Sequence, residues 1–89
     1  MSQLLKVIAT EVTTGANAGA ATSIGDATCV RLVNTHTDDV VVAVSTQVGA
    51  ATSMYFTMTT DTTEYLQKTS TDVIWSDTGI KANKVAFTN

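Results

Sequence analysis

Clusters of turn-forming residues divide this chain about every 8–14 residues, and that spacing constrains its fold more than any other feature. The clusters "NTHTDD", "GAATS", "TDT" and "SDTG" separate short runs rich in Val and Thr, whose branched side chains favour strands. The chain contains 18 Thr and 11 Val and no Pro. We therefore predict an all-β fold: a small antiparallel β-sandwich or jelly-roll-like barrel of about six to eight short strands.

Alternation of apolar and polar residues locates most of these strands. They are predicted at 3–13, 27–35, 39–48, 54–59, 64–68 and 72–76 and within 80–89. The run 39–48 is almost continuously β-branched, which is typical of a strand that is buried on most of both faces. Asn and Asp favour turns, so the sequence predicts a hairpin joining 27–35 to 39–48.

The length of 89 residues indicates one domain, 1–89. Its first part, 1–26, is predicted to be an N-terminal strand followed by an extended arm or loop, because 14–27 consists almost entirely of small residues. Such a short chain buries a small core and usually needs additional stabilisation. Cys29 is the sole cysteine, so no internal disulfide can form. We therefore expect a homo-oligomer or docking onto a larger partner.

Charge and hydropathy narrow the list of partners. The net charge is −3, and the five basic residues are scattered along the chain, so nucleic acid is not an expected partner. No apolar run approaches the ~20 residues that span a bilayer, so no membrane is expected. The first residues lack the apolar core of a signal peptide, and we expect synthesis in the cytoplasm.

The stretch "TTEYLQKTSTDVIW", 62–75, holds the best candidates for catalysis. Glu64 and Asp72 could form a general acid–base pair if they flanked a pocket. The favoured interpretation is structural: a hairpin-like element in which Glu64 and Lys68 share a strand face and Asp72 bonds to turn amides. We accordingly predict no catalytic residue and no enzyme activity.

The sequence also offers few candidates for metal ligands or for a catalytic nucleophile. His36, Asp38 and Asp39 form the one metal-like cluster, but turns are also where Asp is common. Cys29 opens a predicted strand and is expected to pack as a small apolar side chain. We predict no metal and no cofactor.

The segments "VRLVNTHTDDVVVAVST", "FTM", "TEYLQKTSTDVIWS" and "KANKVAFTN" resemble small virion structural proteins of tailed bacteriophages, particularly those of marine hosts. The resemblance covers residues 27–89. It implies a β-sandwich or jelly-roll-like head decoration (cement) protein that binds the major capsid protein or other virion proteins as a small homo-oligomer. It implies no catalytic residues. The N-terminal strand with 14–27 would then dock on the shell, and deleting residues 1–14 should abolish capsid association without unfolding the domain.

Two other functions remain open. A neck or tail component would form larger rings, of six or twelve chains rather than two or three. A carbohydrate-binding module displayed on the virion would need exposed aromatic residues clustered on one face. Tyr55, Tyr65 and Trp75 are the candidates for such a cluster and, equally, for an interface with another protein.

Overall fold

The computed structural model describes residues 4–49 and 53–88 as two antiparallel sheets packed face to face. The turn predicted at 49–53 falls mostly outside these residues. The strands are β1 Leu4–Val7, β2 Val12–Thr13, β3 Cys29–Val33, β4 Val40–Ser45, β5 Met54–Met58, β6 Thr63–Gln67, β7 Val73–Ser76 and β8 Lys81–Thr88. The predicted all-β fold with six to eight strands is confirmed.

The first sheet has the order β1-β8-β3-β6, and β2 pairs with β8 on the same side as β1. The second sheet has the order β5-β4-β7. Most connections cross from one sheet to the other, and β4–β5 is the one sequence-adjacent pair among the described strands that forms a hairpin.

The predicted hairpin joining 27–35 to 39–48 and the predicted hairpin-like element at 62–75 are both wrong for this reason. β3 and β4 lie in different sheets, and so do β6 and β7. The apolar faces of the two strands in each pair are turned toward each other across the core, so the connecting turn forms an arch. Alternation predicts which residues face inward, but it cannot predict whether the next strand lies beside or opposite.

The core lies between the sheets and follows the predicted alternation. Val30 and Leu32 from β3 face Val42 from β4 and Ile74 from β7, and all four are fully buried. The rest of the cluster is Ile24, Ala27, Val40, Met58, Ile80 and Ala82, with Phe56 and Leu66 at its margin. β4 is also buried on its outer side at Ala43 and Ser45, as the sequence predicted.

Buried polar groups close the end of the sandwich at which β8 begins. Asn34, which is fully buried, follows β3, and its side-chain amide donates to the carbonyl of Met58 at 3.0 Å and that of Asp38 at 3.1 Å. At the same end, the hydroxyl of Thr14 lies 2.6 Å from that of Ser76 and accepts from the Ile80 amide at 2.9 Å. These bonds satisfy polar groups that burial would otherwise penalise.

The small-residue segment 14–27 packs against the second sheet. Gly15 bridges to Trp75, Thr22 bridges to Ile74, and Ile24 is buried in the core. A short 3-10 turn, Ala18–Ala20, lies between the bridges. Of the two alternatives from sequence, this segment is therefore a loop with a short β contact near Thr22.

Candidate functional site

The stretch 62–75, which contains Glu64 and Asp72, forms β6, a turn and the start of β7. Glu64 lies opposite Leu32 on β6, whereas Asp72 lies beyond the other end of that strand. The Asp72 carboxylate accepts from the amide of Thr69 at 3.2 Å. Asp72 thus stabilises the turn between β6 and β7, as the structural interpretation predicted.

Lys68 is the unusual member of this turn, because only 8% of its surface is exposed. Its ammonium group donates to the carbonyls of Asp72 at 2.8 Å and Thr69 at 3.2 Å. Burial lowers the pKa of Lys68 below its ordinary value, while the carboxylates of Asp72 and Asp26 oppose that shift. Lys68 thus spans the turn, and both of these hydrogen bonds go to backbone carbonyls rather than to a catalytic side chain.

Two side chains of the metal-like cluster, those of His36 and Asp39, bond to the protein itself. The His36 ring nitrogen Nε2 lies 2.6 Å from the carbonyl oxygen of Gly79, and the Asp39 carboxylate accepts from the Thr60 amide at 3.3 Å. Over residues 4–49 and 53–88, no three His, Cys, Asp or Glu side chains group as metal ligands would.

The predicted aromatic residues divide between the two outer faces. Tyr55 and Trp75 both pair with Ala43, and their rings meet edge to face at 6.2 Å on the second sheet. They cover Ala43, which explains why a small residue is fully buried on an outer face. The indole nitrogen of Trp75 is buried and has no hydrogen-bond acceptor among the described residues. Tyr65 is on the other sheet, so the three aromatics do not form one surface.

Tyr65 instead contacts Phe87, a residue that the sequence did not single out. Their rings meet edge to face with centroids 5.0 Å apart. Tyr65 is on β6 and Phe87 on β8, so the rings meet over β3, which lies between those strands. Alternation along β8 puts Phe87 on the same face as Val85, but only the pairing of three strands brings it to Tyr65.

The N-terminal edge is the most exposed apolar element of the described chain. Every residue of β1 is exposed, and the most exposed of its apolar residues are Leu4 at 66% and Val7 at 61%. Leu4 and Leu5 point to opposite faces, so β1 is apolar on both sides. β1 pairs with β8 on one side, and its other edge is free of described strands.

A cavity of about 310 Å³ follows β1 along this edge. Its lining is mainly apolar and consists of Ala9, Thr10, Val12, Thr22, Ile24, Gly25 and Lys84. Ile24 has a backbone φ of 55°, a conformation that is rare for a β-branched residue. Its turn is held by the Lys84 ammonium, which donates to the Gly25 carbonyl at 2.9 Å. The N-terminal edge therefore combines a free strand with a neighbouring apolar cavity.

Comparison with protein-family models, with curated proteins and with solved structures finds no match to this chain. None of the helices in the described ranges is long and apolar enough to cross a bilayer.

Proposed function

We propose that this chain is a non-enzymatic structural protein of a tailed-phage particle. It binds the outside of the head as a decoration protein, in the form of a small homo-oligomer. The resemblance of residues 27–89 to virion structural proteins supports placement in a phage particle. The N-terminal edge is the observation that supports binding to the head. The major capsid protein is the partner.

The free edge of β1 supports this role because it presents backbone donors and acceptors that no described strand pairs. An extended capsid segment would add a strand there, and alternate side chains of that segment would enter the apolar cavity. Natural proteins blunt or cover such edges when no partner binds them. Lys6 and the irregular backbone after β1 blunt this one only in part.

Many identical sites on a head make modest affinity sufficient. An oligomer that occupies several neighbouring sites gains effective concentration from each bound subunit. Binding also stabilises the folded chain by mass action, which offsets the small core of an 89-residue domain.

The test is binding to heads of the encoding phage that were assembled without this chain. We expect sedimentation with quantitative mass spectrometry to give a fixed number of bound chains per capsomer. A Leu4→Ser, Ile8→Ser variant should bind about ten- to a hundredfold more weakly. Leu4 and Ile8 are about half exposed in the free chain, so docking buries about half of each side chain, and full burial of one such side chain contributes about 1.5–3 kcal/mol. Met54→Ser is the matched control, since Met54 is 79% exposed on the second sheet.

Absence of binding by the unaltered chain would overturn the proposed function. Equal binding by the edge variant and the control would overturn the role of β1. Deletion of residues 1–14 is too severe for this test, because Thr14 makes buried hydrogen bonds. The two serines keep the β1 backbone and leave those bonds intact.

A further inference from the structure

An apolar patch covers one end of the outer face of the first sheet. We name it the Tyr65–Phe87 face, and its members are Leu5, Val7, Cys29, Tyr65 and Phe87. Leu5 pairs with Phe87 and Val7 pairs with Val85, so β1 and β8 contribute adjacent side chains. Cys29 points outward because its neighbour Val30 points into the core. All four strand positions of the sheet thus contribute to one surface.

This surface is unusual because the outer face of an antiparallel sheet is normally polar. The exposed fractions are 42% for Leu5, 61% for Val7, 48% for Tyr65 and 39% for Phe87. Four side chains of this size, each about half exposed, present on the order of 400 Å² of apolar surface. Patches of that size on a monomer commonly mark an interaction site.

The patch itself contains no charged side chain, and Arg31, the cross-strand partner of Tyr65, is its nearest charged neighbour in the sheet. Arg31 and Glu11, at its border, form an ion pair at 3.9 Å and balance each other. All six Asp residues lie outside the strands: Asp26, Asp38, Asp39, Asp61, Asp72 and Asp77. A highly charged partner would gain nothing at a neutral face. A second copy is also acidic, but the carboxylate at the border of its patch, that of Glu11, is paired with Arg31.

The dimensions also suit a second copy. A standard interface hides about 800 Å² per partner and has an apolar centre and a polar rim. The Tyr65–Phe87 face supplies the centre, and Arg31, Thr63 and Gln67 supply a rim from the same outer surface. Tyr and Phe are effective anchors because they bury a large area while losing little side-chain freedom.

We propose that two copies of this chain form a twofold dimer through the Tyr65–Phe87 face. The interface is isologous: the same patch lies on both sides. This inference rests on the proposed function, since it names the contact of the homo-oligomer, and the docking role of β1 is compatible with it. Leu4 and the free edge face the capsid, whereas Leu5 and Val7 point to the opposite side and face the second copy.

The experiment is sedimentation equilibrium of the full chain from about 5 µM to about 500 µM, the range in which an interface without optimised contacts dissociates. We expect a monomer–dimer equilibrium that Leu5→Ser and Phe87→Ser each weaken at least tenfold. Tyr55→Ser is the matched control, because Tyr55 is a similarly exposed aromatic on the other sheet. Leu5→Ser keeps the test sharp if Phe87→Ser unfolds, since Leu5 lies on an edge strand.

Cys29 gives an independent readout because it is the single thiol and lies within the patch. Its alkylation rate should fall several-fold as the protein concentration rises, and Leu5→Ser should abolish that protection. A monomer at all concentrations, or a dimer with unprotected Cys29 that both serine variants leave intact, overturns the inference. Head binding is measured separately, so a monomer that still decorates heads would leave the proposed function standing.

Discussion

Small residues beneath aromatic pairs shape both outer faces of the sandwich. Ala43 on the central strand of one sheet lies below Tyr55 and Trp75. On the other sheet, Cys29 lies on β3, the strand over which Tyr65 and Phe87 meet. A larger side chain at Ala43 would push the two rings apart, because a packed site has little spare volume. The sequence shows the aromatics, but the need for a small residue between them appears only in three dimensions.

Lys68 provides the pH-dependent feature at this scale. Its pKa is lowered in the folded protein, chiefly by burial, so the unfolded chain holds the Lys68 proton to higher pH than the folded chain does. Between the two pKa values the unfolded state binds more protons, and the free energy of unfolding rises with pH there. Burial of the charged form of Lys68 therefore lowers the free energy of unfolding at neutral pH, and this destabilisation disappears as Lys68 loses its proton.

We predict that Lys68→Met removes this dependence. The stability of the unaltered protein relative to the variant should increase from about pH 7 to about pH 10, as Lys68 loses its proton. Urea unfolding at several pH values measures the difference. Lys6→Met serves as the control for loss of one positive charge, since Lys6 is exposed. A relative stability that falls over this range would contradict the assigned burial effect.

At the scale of single elements, the irregular backbone between β1 and β2 defines the N-terminal edge. Val7 pairs with Val85 and Val12 pairs with Ala82, so residues 8–11 lie opposite 83–84. Two extra residues form a bulge, which bends the strand and limits further pairing along the edge. The sequence predicted a single strand at 3–13 because its composition is strand-like throughout.

The side chain of Asn83 stabilises this bulge. In the orientation that satisfies both ends of the amide, its oxygen accepts from the Glu11 amide at 3.0 Å and its nitrogen donates to the Glu11 carboxylate at 3.1 Å. Asn83 is only 7% exposed, so these bonds replace water that it lacks. The same contact positions Glu11 near Arg31.

We predict that Asn83→Leu destabilises the protein by about 1–3 kcal/mol, because it removes both hydrogen bonds between the Asn83 side chain and Glu11, each of which contributes about 0.5–1.5 kcal/mol. The loss should be local: hydrogen exchange at Glu11 and in β1 should accelerate more than exchange in β4. Gln67→Leu, an exposed change on β6 of the same sheet, is the control. Equal acceleration of hydrogen exchange in both sheets would instead show that the substitution destabilises the whole domain, and it would contradict a local role for Asn83.

At the scale of the whole molecule, the pairing is strongly non-local. β1 pairs with β8, so the two ends of the described chain are joined in the first sheet. Such topologies fold slowly, because loop closure must precede the favourable contacts. The chain also lacks proline, whose isomerisation causes slow phases of tens of seconds.

We therefore predict that refolding at low protein concentration follows a single exponential in the range of milliseconds to seconds. Stopped-flow fluorescence of Trp75, the single tryptophan, provides the measurement. Repeating the experiment at higher concentration separates dimerisation, because only that step depends on concentration. A concentration-independent phase of tens of seconds would contradict the prediction.

The sequence by itself determined the local features of the structure. Branched residues and turn clusters located every strand from β3 to β8 within a few residues, and alternation separates Val30 and Leu32 on one face of β3 from Arg31 on the other. It also identified Asp72 as a turn residue. These features depend on neighbours in the chain, which the sequence shows directly.

Only the tertiary structure decided which strands pair. It turned both predicted hairpins into arches, separated Tyr65 from Tyr55 and Trp75, and brought Phe87 over β3. It also left β1 exposed at an edge and formed the cavity between residues 9–12 and 22–25. A strand with one apolar face packs equally well beside or opposite its successor, so the choice depends on the burial of the whole chain.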